Sequence, residues 1–176
     1  MRLISHFEGE FACYSNFYPA PVEMYGELYP SVEHAYQAAK CRWAQDRKQF
    51  QNDRLAAGKA KQLGQEIEIR SDWEEIKLGI MERLVERKFQ IPVLRRRLLA
   101  SEDAELVEGN TWGDRFWGVC QGEGQNHLGQ ILMKVRAQIK AKDDEVKKLF
   151  EDLRNSPLFL FNELDEPVQS NLARLV

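Results

Sequence analysis

Cysteine is scarce in this chain of 176 residues: Cys13, Cys41 and Cys120 are far apart and odd in number. That excludes a disulfide framework and points to reduced thiols. Histidine is equally scarce, and His6, His34 and His127 stand at no metal-ligand spacing from one another or from a cysteine, so neither a metal nor a cofactor is expected. No apolar run reaches the roughly 20 residues that cross a bilayer. The opening "MRLISHFEGEFACYSNF" lacks a continuous apolar segment before a small-residue cleavage site, so a cytoplasmic protein without a membrane partner is expected. Positive charge is not in excess either: 25 basic against 28 acidic side chains leave a net charge of −3, and no global field draws in nucleic acid. Three arginines at 95–97 are the one basic cluster, and on a helix they spread over two faces as ordinary solvated surface. Repeats, low-complexity tracts and Gly/Ser linkers are absent as well, which leaves one domain with an appended element.

The hydrophobic content of 43% and charged content of 30% are those of a globular protein with a real core. Residues 1–30, with short alternating runs such as "VEMYGELYP", read as one or two short strands and turns. Ser31 is placed to cap a helix whose apolar positions Val32, Tyr36, Ala39 and Trp43 recur at helical spacing. A short helix over 56–63 ends at Gly64, and "SDWE" (71–74) has the form of a capping box ahead of Trp73, Ile76, Ile80 and Leu84. Pro92 opens another helix through Leu99, and "AELVEGNTWGD" reads as strand and loop. Asn126 is placed to cap a helix carrying Leu128, Ile131, Leu132, Val135 and Ile139, with a break or new cap at Asp143 or Asp144. The expected fold is therefore α+β and mainly α-helical, with a few short strands. The domain spans 1–142, and a helical extension over 143–176, including "LFLF", packs back on it.

Two stretches place polar groups where a core helix or a simple turn does not need them. In "YPSVEHAYQAAK" (29–40), Glu33 and Lys40 lie about 20° short of two helical turns apart, with Gln37 between them. The row is open to two readings: side chains snorkelling over the core, or a carboxylate and an amine lining a cleft. In the second reading, partial desolvation lowers the lysine pKa and frees its nucleophilic form, while the carboxylate moves protons. His34, one residue off the row, reads as a hydrogen-bonding neighbour. In "WGDRFWGVCQGEGQNHLG" (112–129), Gly118, Gly122 and Gly124 run into the helix start at Asn126. Glycines there admit close backbone approach, and unpaired N–H groups in the first turn suit a phosphate. A tight structural turn is the alternative. The glycine spacing is wrong for a dinucleotide fingerprint.

"YSNFYPAPVEMYGELYPSVEHAYQAAK", the pair Asp72 and Trp73, and "WGDRFWGVCQGEGQNHLGQILMKVR" together resemble the NADAR superfamily, the YbiA-like N-glycosidases, over roughly residues 7–140. The resemblance implies a single compact domain that hydrolyses the N-glycosidic bond between a ribose phosphate or ADP-ribose and a heterocyclic base. Two substrate groups are implied: riboflavin-pathway ribosylaminopyrimidine intermediates, and guanine carrying ADP-ribose, as a small molecule or on nucleic acid. It gives catalytic roles to Lys40, Glu33 and Asp114. It gives ligand-binding positions to Asn16, Trp73, Trp117 and Asn126, and Phe17, Gln37, Gly118, Gly122 and Gly124 are expected as further substrate contacts beside them. Two schemes fit these residues: a Schiff base on Lys40, or water activated by Glu33 or Asp114 against an oxocarbenium-like centre. A non-catalytic ADP-ribose reader is the alternative outside enzymology. The sequence carries no signal for an oligomeric state.

Overall fold

The computed structural model describes residues 2–155. Its strands are short and fall in three separate two-stranded sheets, so helices carry the architecture, as the mainly helical α+β expectation required. β1 (Leu3–Ile4) pairs in parallel with β4 (Glu105–Leu106), and β5 (Gly109–Asn110) in parallel with β6 (Val119–Cys120). β2 (Val22–Met24) and β3 (Glu27–Tyr29) form an antiparallel hairpin. Its turn residues Tyr25 and Gly26 have φ of 55° and 79°, the left-handed pair that matches the twist of a two-residue hairpin.

α1 (Val32–Lys40) starts as the sequence predicts, with Ser31 Oγ accepting from His34 N at 3.4 Å. Every residue from Val32 to Ala39 is buried, so Glu33 and Gln37 are enclosed while Lys40, at the end of the polar row, is half-buried. The small side chains of Ala35, Ala38 and Ala39 allow α2 (Ala57–Leu63), α3 (Trp73–Lys88) and a 3-10 helix (Ala44–Gln51) to pack closely on α1. His34 tolerates burial because Ser31 Oγ meets its Nδ1 at 2.8 Å and its Nε2 meets Leu55 O at 2.7 Å. A carbonyl only accepts, so Nε2 carries the proton, and desolvation holds the ring's pKa below the ordinary histidine value. His34 is the structural neighbour that the sequence suggested. α4 (Pro92–Leu99) begins on its proline, as expected.

Four local expectations fail, three of them because another partner claims the groups involved. Trp43 lies beyond α1, since Arg70 N donates to Lys40 O at 2.9 Å and Arg42 N to Glu68 O at 3.0 Å and end the helix there. Trp43 is 50% exposed, and its Nε1 donates to Glu68 Oε2. The capping box at Ser71 does not form. α3 starts after Asp72, whose carboxylate takes two Arg70 N–H groups at 2.5 and 2.9 Å instead of capping. Asn126 does not cap α5 (His127–Arg154) with its side chain, which is spent on the β4–β5 connection. α5 also runs through Asp143 and Asp144 without a break.

The chain divides into a unit ending at Gln138 and one beginning at Ile139, a boundary within α5. In the second unit Val146, Leu149, Phe150 and Leu153 are exposed. The expected packing of "LFLF" falls on residues 156–176, outside the described residues. The first unit holds a core that includes Tyr29, Phe50, Met81, Leu84, Phe89 and Leu106.

Candidate active site

A cavity of about 340 Å³ opens along one face of α1, all of it within the first unit. That volume accommodates a small molecule. α1 contributes Glu33, Tyr36, Gln37 and Lys40; the 15–17 loop contributes Ser15, Asn16 and Phe17. α2 and the turn after it add Lys61 and Gln65, and α3 adds Trp73, Lys77 and Met81. The rest comes from 108–117, with Glu108, Asn110, Trp112, Asp114, Phe116 and Trp117, and from Leu128 on α5.

Glu33 is buried, and its backbone N donates to Asn16 O at 3.1 Å, which ties the "SNF" loop to the first turn of α1. Gln37 Nε2 donates to Glu33 Oε1 at 2.6 Å. Burial pushes the Glu33 carboxyl above the usual range; Gln37, Lys61 and Lys40 pull it back and Asp114 reinforces the rise. Gln37 is itself held by close packing. A Cβ on Gly64 would lie 1.9 Å from Gln37 Oε1, so any larger residue there displaces the Gln37 side chain.

Lys40 closes α1, half-buried, with Nζ 5.6 Å from the Tyr36 ring centre and 6.0 Å from that of Trp73. Desolvation lowers the amine's pKa; Glu33 opposes this and Lys61 adds to it. The aromatic wall is rigid: Tyr36 meets Trp73 at 4.9 Å and Trp117 at 5.4 Å between ring centres, both edge-on. Phe17 and Trp112 are the exposed aromatics of the lining.

Asp114 divides its labour. Its Oδ1 accepts from Phe116 N at 3.2 Å and Trp117 N at 2.9 Å, closing the turn that aims the Trp117 ring. Its Oδ2 stands 4.0 Å from Lys61 Nζ. Asn110 braces the same turn, donating from Nδ2 to Asp114 O at 2.7 Å and accepting from Asp114 N at 3.0 Å.

Of the residues singled out from sequence, Asn16, Phe17, Glu33, Gln37, Lys40, Trp73, Asp114 and Trp117 line this one cavity. Gly118, Gly122, Gly124 and Asn126 do not. The unpaired N–H groups expected at the start of α5 are in fact used: His127 N donates to Phe116 O at 3.3 Å and Leu128 N to Trp117 O at 3.0 Å. Sequence reasoning missed Glu108, Asn110, Lys61 and Lys77, and took Tyr36 for plain core. A carboxylate ending the apolar run of "AELVE" was the available signal for Glu108.

Fold and cavity together define a small α+β domain with an open cavity in which a half-buried amine, buried and half-buried carboxyls and aromatic rings face one ligand space. The chain belongs to the NADAR domain family, whose model matches residues 4–140. It is 39% identical over 133 residues to a riboflavin biosynthesis protein of Vibrio vulnificus, covering 72% of this chain and 35% of that one. It is 36% identical over 147 residues to a chloroplastic riboflavin biosynthesis protein of Zea mays, covering 73% of this chain and 23% of that one. The chain thus spans only 35% and 23% of these longer relatives. The N-glycosidase YbiA of Escherichia coli is 32% identical over 135 residues, covering 74% of this chain and 82% of that one. The NMR structure of YbiA superposes with a TM-score of 0.71 at 30% identity, covering 82% of this chain and 90% of that one.

Proposed function

We propose that this chain is an N-glycosidase that hydrolyses the bond between a ribose, phosphorylated or within ADP-ribose, and a heterocyclic base. The observation that carries the reading is the Lys40 amine, held against the Tyr36 and Trp73 rings in the same cavity as buried Glu33. A binding module gains nothing from desolvating an amine beside a carboxyl, whereas imine chemistry requires a fraction of neutral amine. The family membership and the activity named for YbiA support the same reading.

The Lys40 amine attacks C1′ as the bond from C1′ to the base nitrogen breaks and its electron pair leaves with the base. The amine sheds a proton through Glu33 to the ring oxygen, which departs as a hydroxyl and leaves a Schiff base. Water then adds at C1′, the bond from C1′ to Lys40 breaks, and free amine and open-chain ribose result, with the proton set free balancing the one that the departed base takes up. Asp114 Oδ2 and Lys61 face the sugar and its phosphate, and Trp117 and Trp73 bound the base. The substrate is a ribosylaminopyrimidine phosphate, in keeping with the riboflavin biosynthesis names of two relatives, or ADP-ribosylated guanine. Incubation with each substrate, followed by chromatography of the free base, tests the reading. Release from at least one is expected, and binding of both without release contradicts it.

A further inference from the structure

No role above falls to Glu108, yet it lines the cavity. Its Oε2 is fully enclosed and has no hydrogen-bond partner among the described residues. Leaving a buried acceptor unpaired is unfavourable, and more so when it is charged, so such a carboxyl favours its neutral form until a ligand completes it. Its backbone, by contrast, is fixed on both sides. Glu108 N donates to Asn126 Oδ1 at 3.0 Å, Asn126 Nδ2 donates to Leu106 O at 2.9 Å, and Val119 N donates to Glu108 O at 2.8 Å. A Cβ on Gly118 would lie 2.1 Å from Glu108 O and 3.0 Å from Glu108 Cγ, so that glycine leaves the space the glutamate occupies. Gly118 and Asn126, two motif residues that do not line the cavity, thus converge on the one carboxyl that sequence reasoning missed.

We propose, on the basis of the N-glycosidase reading, that Glu108 is the catalytic acid that protonates the departing base and that Gly118 and Asn126 are its positioning residues. Glu33, bound to Gln37 on the helix that carries Lys40, serves the amine; Glu108 arrives from a separate element and serves the leaving group. As the bond from C1′ to the base nitrogen breaks, the Glu108 O–H proton passes to the base, which holds the released electron pair, and a carboxylate remains. The water that hydrolyses the Schiff base returns a proton to it. Burial, with Asp114 and Glu33 adding and Lys61 and Lys88 opposing, raises the Glu108 pKa to about 7, so the acid form is populated at neutral pH.

The test is Glu108→Gln, assayed on a ribosyl base and on a matched riboside whose leaving group, 4-nitrophenolate, departs without a proton. The expected loss of kcat is about 100-fold or more on the base and less than about fivefold on the nitrophenyl riboside. The wild-type rate should fall about tenfold per pH unit above pH 7, and the variant should lack that alkaline fall. Glu108→Asp, which keeps an acid, should keep the fall and covers the case in which Glu108→Gln does not fold. Equal losses on both substrates, or an alkaline fall that survives in Glu108→Gln, overturn the assignment. A wild-type enzyme that releases no base refutes the N-glycosidase reading itself. Wild-type turnover with an unchanged Glu108→Gln rate refutes only the role of Glu108.

Discussion

Single residues in this fold carry unusual burdens, and Lys88 carries one away from the reacting groups. It is 1% exposed, with Nζ donating to Ser15 O at 2.7 Å and standing 5.6 Å from the Tyr18 ring centre. Desolvation lowers its pKa to about 7, against partial opposition from Cys13 and Glu108. Between about pH 7 and the lysine's unfolded pKa the unfolded chain binds the extra proton, so stability rises with pH across that window. Lys40, also lowered by burial, adds with the same sign. Lys88→Met should flatten the rise in denaturant-derived stability between pH 7 and 9 by up to about 1.4 kcal/mol per pH unit. An unaltered slope would show that Lys88 is charged in the folded state. Nothing local marks Lys88 in the sequence, where it is one cation at the end of an amphipathic helix.

At the scale of elements, α1 was legible because its signals are local: a serine cap, apolar positions at helical spacing, and Glu33 and Lys40 two turns apart. Its full burial was not legible, because that depends on α2 and α3 arriving over three alanines. Gly64 marks the closeness of that approach, with its missing Cβ in the space of Gln37. Gly64→Ala should destabilise the protein by about 1–3 kcal/mol through overpacking, and should raise KM by displacing Gln37 from Glu33. Thermal unfolding and steady-state kinetics check both. The caps expected at 71–73 and at 126 do not form for a related reason, although α5 does begin directly after Asn126. Asp72 and Asn126 have the right chemistry for caps, but Arg70 and the β4–β5 connection claim their side chains.

Across the whole molecule, eight of the residues singled out from sequence meet in one cavity although they lie as far apart as Asn16 and Trp117. Ordered motifs made that assembly legible. What the motifs concealed was the division between residues that face the ligand and residues that hold others in place. Asp114 does both with its two oxygens, Gly118 and Asn126 only support, and Glu108 faces the cavity from a stretch with no motif-like appearance. The supporting contacts join segments about 20 residues apart in the chain, which no helical or strand period reports. The account turns on Lys40 as nucleophile, and borohydride added during turnover tests it most directly. Reduction of the Schiff base should leave a covalent ribosyl adduct that peptide mass spectrometry maps to Lys40, and Lys40→Ala should lose both the adduct and base release. An adduct absent during active turnover, with release retained in Lys40→Ala, would contradict it.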